Sequence, residues 1–226
     1  MEEDTVKRHN MVFITGVGKE ILWEQIYRSC SSHTLDMLDD LLHGTTDIPC
    51  IVRRDEIKHD LLPVGLVHPF RINENRKRFA GHVPFSEVLR VVTPYALLSA
   101  SLVPPRNICI KDAYTIRELA KIYGIRIGIL GSAAMEFATG LSYTDSLSDL
   151  DFLLRPASLH LLQEFYEASR DMVTVEELDF EVEFPNGYGV KLVEFFMDTK
   201  SVLAKSMEDV VIIEKKELLP YFYELA

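Results

Sequence analysis

Paired cysteines, zinc-type histidine spacing, long apolar runs and an excess of positive charge are all missing from this sequence. The three cysteines, Cys30, Cys50 and Cys109, lie far apart, which argues against a disulfide framework and against structural zinc. Seven histidines are scattered without an HExxH-like pair. No apolar stretch reaches the roughly 18–20 residues that a membrane span needs. The opening MEEDTVKRHN is acidic and polar, unlike a secretory signal peptide. Together these absences predict a cytoplasmic protein with reduced thiols and no membrane partner. The formal net charge is −11. Grip on a nucleic-acid backbone needs a basic surface, so nucleic acid is not an expected partner. RINENRKRF (71–79) is the local exception, with Arg71, Arg76, Lys77 and Arg78. It reads as a solvated turn between strands, or as a small anion site for a phosphorylated ligand or an acidic protein.

What is present is ordinary globular material, 226 residues of which 47% are hydrophobic, enough for one large domain or two small ones. MVFIT (11–15) and IPCIVRR (48–54) read as strands, and KEILWEQIYRS and TLDMLDDLLHG as amphipathic helices, the second closing on Gly44. LLPVGLVHPF and KRFAGHVPF read as edge strands or irregular connections because of their Pro and Gly. FSEVLRVVTPYALLSA (85–100) reads mostly as helix, interrupted at Pro94. Pro104-Pro105 marks a linker, so the domains are expected at 1–104 and 105–226.

The second part alternates more cleanly. Asp112 is expected to cap a helix running through Tyr123, with Gly124 ending it. IRIGIL (125–130) reads as a strand, AAMEFATG (133–140) as a short helix, DLDFLL (149–154) as a strand and ASLHLLQEFYEASR (157–170) as a helix. LDFEVEF (178–184), PNG and YGVKLVEFF (188–196) form a hairpin, and DVVII (209–213) adds a strand before a last helix. The predicted class is α/β or α+β: a mixed sheet flanked by helices in the C-terminal part, with a smaller N-terminal α/β domain.

FITGVGKE (13–20) imitates a phosphate loop but lacks two of its elements. Phe13 stands where the first Gly belongs, and Glu20 stands where a Ser or Thr would reach magnesium. A glycine-rich turn from strand to helix accounts for it.

Two aspartates are harder to explain away. Asp149 and Asp151 are i and i+2 on a predicted strand, so both project from one face while Leu150, Phe152 and Leu154 point into the core. Side-by-side carboxylates repel unless a cation sits between them. Magnesium suits such a pair, with substrate phosphates completing its shell; two ions can assist in-line phosphoryl displacement. Upstream, ILGS runs a strand into a helix start, where backbone N–H groups and the dipole favour a phosphate. Gly131 allows close approach and Ser132 offers a hydroxyl. Alone, an Asp-x-Asp is also what a solvent-facing edge strand carries. Beside this helix start it is the arrangement of a nucleotidyltransferase. Glu181, Glu183 and Glu194 are candidates for a third carboxylate, although an ordinary half-exposed hairpin shows the same alternation.

The Gly-Ser…Asp-x-Asp pattern resembles the DNA polymerase β-like nucleotidyltransferase superfamily, with sixteen residues between Ser132 and Asp149, a longer gap than usual there. The extended GSAAMEFATGLSYTDSLSDLDFLL is similar to a narrower family, the malonate decarboxylase holo-acyl-carrier-protein synthases, or phosphoribosyl-dephospho-CoA transferases. Its members carry Gly-Ser, an aromatic-containing helix ending in LTGL.Y, and SDLDLL. RHNMVFI (8–14), IPCIVRRDE (48–56), LPVGLVHP (62–69), DFEVEFPNGYGVKLVEFF and VLAK (202–205) resemble further family segments, so the likeness spans nearly the whole chain. Glu136-Phe137 stand where a Trp-Gln pair is common, and Phe180 where a Gly is expected.

The resemblance implies transfer of a phosphoribosyl-dephospho-CoA group from 2′-(5″-triphosphoribosyl)-3′-dephospho-CoA to a serine of the apo acyl carrier protein subunit of malonate decarboxylase. Pyrophosphate leaves. On that footing Asp149 and Asp151 are expected to hold Mg2+ (Mn2+ is the alternative), and Glu181 to be the third ligand or the base for the serine hydroxyl. Gly131 and Ser132 are expected to hold the β- and γ-phosphates. Arg53, Arg54 and Lys205 are candidate phosphate or carrier-protein contacts, or surface ion-pair partners. A nucleotidyltransferase with another acceptor and an inactive nucleotide-binding module remain as alternatives.

Overall fold

The computed structural model describes residues 6–55, 60–72, 75–100 and 103–222. The chain opens with β1 (Met11–Ile14), buried at all four positions. A tight entry into α1 (Gly16–Ile26) follows, where Thr15 accepts the Gly18 N–H at 3.0 Å; this is the ordinary cap that the false phosphate loop conceals. After α2 (Ser32–His43) come β2 (Cys50–Val52), β3 (Leu61–Ile72) and β4 (Asn75–Pro84). β5 (Val88–Val92) and α3 (Pro94–Ala100) complete this part.

Its strands form an antiparallel sheet in the order β4-β3-β2-β1-β5. Leu62, Val64 and Leu66 alternate into the core at 0–1% exposure, which makes β3 an interior strand despite Pro63 and Gly65. The expectation of edge strands or irregular connections holds only for β4. Residues 85–100 are a correction too. Val88–Val92 is a strand because it pairs with the open side of β1, and its β-branched residues suit a sheet. Pro94 starts the helix instead of interrupting it, taking the position where its missing N–H costs nothing.

The rest of the chain builds α4 (Ile108–Ile122), β6 (Ile127–Ile129), α5 (Gly131–Thr139), β7 (Leu150–Leu154) and α6 (Leu159–Met172), then β8 (Leu178–Glu183). It closes with β9 (Gly189–Lys191), α7 (Leu192–Phe196), β10 (Ser201–Lys205), β11 (Val210–Glu214) and α8 (Lys215–Leu218). The second sheet runs β11-β10-β9-β8-β7-β6. It is mixed: β7 and β8 are parallel, joined by the α6 crossover, and the other neighbours are antiparallel.

Three local expectations fail here, each for a tertiary reason. Asn107, not Asp112, caps α4, accepting the Ile110 N–H at 3.0 Å. Asp112 lies inside that helix, buried, and accepts the Thr174 and Val175 N–H groups after α6 at 2.7 and 2.9 Å. The predicted strand 188–196 stops at Lys191 and turns helical, because Leu192 and Phe195, three apart, both bury. Finally, Asp149 precedes β7 and does not belong to it.

One apolar core runs through both sheets, from Met11 and Val64 to Phe152, Phe165 and Phe184. No described helix is long and apolar enough to cross a membrane.

Candidate active site

The start of α5 meets the start of β7. Leu130 N–H donates to the Asp151 carbonyl at 2.9 Å, extending the β6–β7 pairing to the second aspartate. Gly131 follows with φ +62°, and a Cβ there would lie 2.9 Å from Asp151 Oδ2. Glycine is therefore required twice at this position, by the left-handed backbone and by the carboxylate against it. The helix start has no side-chain cap, so its first N–H groups keep the partial positive charge that attracts anions.

The loop that delivers Asp149 is held from both sides. Glu136, 1% exposed, accepts two bonds of 2.7 Å from Arg106, and also the Thr144 N–H and Oγ1–H at 2.7 and 2.8 Å. From the first sheet, Arg76 donates to the Tyr143 carbonyl, Tyr143 Oη donates to the Val67 carbonyl at 2.9 Å, and Arg71 holds Asp145 at 2.8 Å. The family-divergent pair Glu136-Phe137 is thus core and loop support, with Phe137 4% exposed.

A cavity of about 730 Å³ opens between the two sheets and is lined by Gly131, Ser132, Asp149, Asp151 and Glu181 together. Asp149 is exposed and Asp151 half-buried. Burial, then the charges of Asp179 and Asp149, push the Asp151 carboxyl up to about 6. Asp179 is the register neighbour of Asp151 across the parallel β7–β8 pair, lines the same cavity and forms an ion pair with Lys191.

Glu181 sits one step further along that strand face, paired with Arg8 and with His9 Nε2 at 3.6 Å. Burial raises its carboxyl, but His9 and Arg8 more than reverse that, leaving it below the usual carboxylate range. Glu183 and Glu194 do not line this cavity. Glu183 holds Arg155 and Tyr95 Oη at 3.0 Å each, and Glu194 accepts the Leu203 N–H at 2.8 Å from α7. Arg53 and Lys205 line the cavity; Arg54 is exposed and does not. Phe180 is buried against Phe152, ring centroids 5.5 Å apart.

Sequence reasoning passed over Asp179, Lys191, Arg8 and His9. Asp179 was legible: it alternates with Glu181 in LDFEVEF. Arg8 and His9 stood in RHNMVFI, a segment marked only by its family likeness, and nothing local assigned them to the site because they come from the other end of the chain.

Among the described residues no three His, Cys, Asp or Glu side chains form a ready-made metal cage. The site still fits a magnesium-type ion, which takes one or two carboxylates and fills its shell from water and substrate phosphate. A half-buried Asp151 crowded by two acids is the environment that such a cation relieves.

Comparison with known proteins gives one consistent answer. Residues 7–94 match the phosphoribosyl-dephospho-CoA transferase MdcG N-terminal domain, and residues 98–216 match the MdcG C-terminal domain. A phosphoribosyl-dephospho-CoA transferase of Bradyrhizobium diazoefficiens is 27% identical over 223 residues, covering 94% of this chain and 92% of that protein. A protein of the same name from Pseudomonas syringae pv. tomato is 30% identical over 178 residues, covering 75% of this chain and 77% of its own. One from Pseudomonas aeruginosa is 28% identical over 177 residues, covering 74% and 78%. No solved structure matches.

Proposed function

The chain belongs to the phosphoribosyl-dephospho-CoA transferase MdcG family, an enzyme family, and from that premise we propose the full reaction. The enzyme moves the phosphoribosyl-dephospho-CoA group of 2′-(5″-triphosphoribosyl)-3′-dephospho-CoA onto a serine hydroxyl of the apo acyl carrier protein subunit of malonate decarboxylase. The serine Oγ–P bond forms at the α-phosphorus, the bond to the β-phosphate oxygen breaks, and pyrophosphate leaves. The observation that carries this reading is the meeting of the uncapped α5 start with Asp149, Asp151 and Asp179 in one cavity.

Each group then has a task. Asp149 and Asp151 hold Mg2+ or Mn2+, with Asp179 beside them as the third acid. When bound, the ion neutralises charge on the polyphosphate and on the attacking oxygen. The α5 N–H groups and Ser132 receive the β- and γ-phosphates. Gly131 keeps that cradle against Asp151. Lys191, ion-paired with Asp179, adds positive charge at the same wall. Glu181, ion-paired with Arg8 and 3.6 Å from His9 Nε2, stays ionised and is the carboxylate proposed to accept the serine proton as the new bond forms. The work is positioning and charge complementarity, as in phosphoryl transfer generally.

The test uses purified apo carrier protein, the triphosphorylated precursor and magnesium, with pyrophosphate release and carrier-protein mass as readouts. Wild type adds the prosthetic group, while Asp149→Asn and Asp151→Asn, shown to be folded, do not. Near-normal turnover in both variants rules the acid pair out of the chemistry. Labelling of some other acceptor, with the carrier protein ignored, rules out the acceptor.

A further inference from the structure

The cavity is richer in positive charge than the chain around it. Seven Lys and Arg side chains line it against four carboxylates, in a protein of net charge −11. The carboxylates come from the second sheet or, for Asp149, from the loop entering it, whereas several of the arginines belong to the first.

The first sheet turns Val64 and Leu66 toward the core and presents its other face to the cavity. On that face Ile51, Gly65 and Ala80 are register partners across β2, β3 and β4. Arg53 and Arg78 lie two residues from Ile51 and Ala80, so they share the face. The centre of this wall is low. A Cβ at Gly65 would find only backbone oxygens and Arg53 Cδ, at 3.6–3.9 Å, so the Arg53 stem leans across the glycine toward the middle.

Not every arginine is available. Arg71 and Arg76 hold the loop before Asp149 through Asp145 and the Tyr143 carbonyl. The Arg78 side chain makes no hydrogen bond or ion pair with any described residue, and the Arg53 guanidinium reaches Asp55 only at 3.4 Å. Burial and the charge of Arg71, with Arg78 adding to it, hold the Arg76 guanidinium below its usual range. This wall therefore holds crowded cations whose repulsion an anion would relieve.

We infer that the Arg53–Arg78 face of the first sheet is a second phosphate site, which takes the diphosphate of a nucleotide moiety while the acid wall takes the reacting triphosphate. The inference rests on the proposed reaction, because that donor carries two separate polyphosphates: a triphosphate on the ribosyl group and the diphosphate joining adenosine to pantetheine. Seated metal and helix start serve the first. Guanidinium forks, which pair diphosphate oxygens two at a time, serve the second. The first sheet thus selects dephospho-CoA over donors that carry a triphosphate alone.

Calorimetric titration of 3′-dephospho-CoA without divalent ion tests this, with pantetheine, which lacks the diphosphate, as the control. Wild type binds dephospho-CoA and not pantetheine. Arg78→Ala and Arg53→Ala each weaken binding by about tenfold or more, with melting temperatures near wild type. Asp151→Asn, on the opposite wall, retains binding. Unchanged affinity in both arginine variants overturns the site, as does equal binding of pantetheine or no binding by wild type. The transferase reading stands or falls separately, on the Asp149 and Asp151 variants in the transfer assay.

Discussion

A Cβ on Gly131 would lie 2.9 Å from Oδ2 of Asp151. The helix start proposed to receive phosphate and the carboxylate proposed to receive the metal are therefore packed closely enough that a side chain at Gly131 must displace Asp151. Gly131→Ala is expected to cost about 1 kcal/mol from its φ of +62°, a drop of a few degrees in melting temperature. Displacement of Asp151 is expected to lower the transfer rate by about 10–100-fold. Steady-state kinetics beside a thermal melt separates the two effects.

Asp151 also predicts a pH signature in metal-free protein. Its folded-state carboxyl titrates near 6, above the ordinary value of about 3.9. The folded protein binds this proton more tightly than the unfolded chain, so stability falls as pH rises from about 4 to 6 and stays reduced above. Asp151→Asn removes the penalty. Its melting temperature should exceed that of wild type above pH 6, by the equivalent of about 1–2 kcal/mol after allowance for partial exposure, and the gap should close near pH 4. A gap that widens toward acid contradicts the placement of a partly desolvated Asp151 beside the acids Asp179 and Asp149.

Two acids on β8 should behave in opposite ways. Asp179 and Lys191 are each 46% exposed, so Asp179→Asn should leave stability within about 1 kcal/mol yet lower turnover by about 100-fold or more. Glu183 is 12% exposed and binds Arg155 and Tyr95. Glu183→Ala should cost about 2–4 kcal/mol by stranding Arg155, while the remaining folded protein keeps its activity.

Glu136→Gln tests the loop support. It replaces a carboxylate holding Arg106 and Thr144 with a neutral amide, at an expected cost of about 3 kcal/mol. Chemical denaturation measures it. Because the same loop delivers Asp149, the Michaelis constant for magnesium should rise as well.

The readable parts of the chain were those whose signals are local. The Gly131-Ser132 turn and the Leu150–Leu154 strand could be placed because turn and alternation sit within a few residues of each other. The cavity's shape could not. Val88–Val92 became a strand only through the open edge of β1, and Asp112 was drawn from a capping role by backbone groups 62 and 63 residues away. Arg8 and His9 reach the site across the sheet-to-sheet packing, which no spacing rule records, whereas Arg78 belonged to a basic run already legible as a candidate anion site. Asp179 was different: its pattern was visible, and its weight became clear only from its register with Asp151.

Manganese titration followed by electron paramagnetic resonance, on wild type and on the Asp149→Asn/Asp151→Asn double variant, reaches the metal claim without substrate or carrier protein. Wild type should quench the free Mn2+ signal saturably, and the double variant, equally folded, should leave it at its solvent level. Equal quenching by the two proteins contradicts the assignment of the ion to these carboxylates.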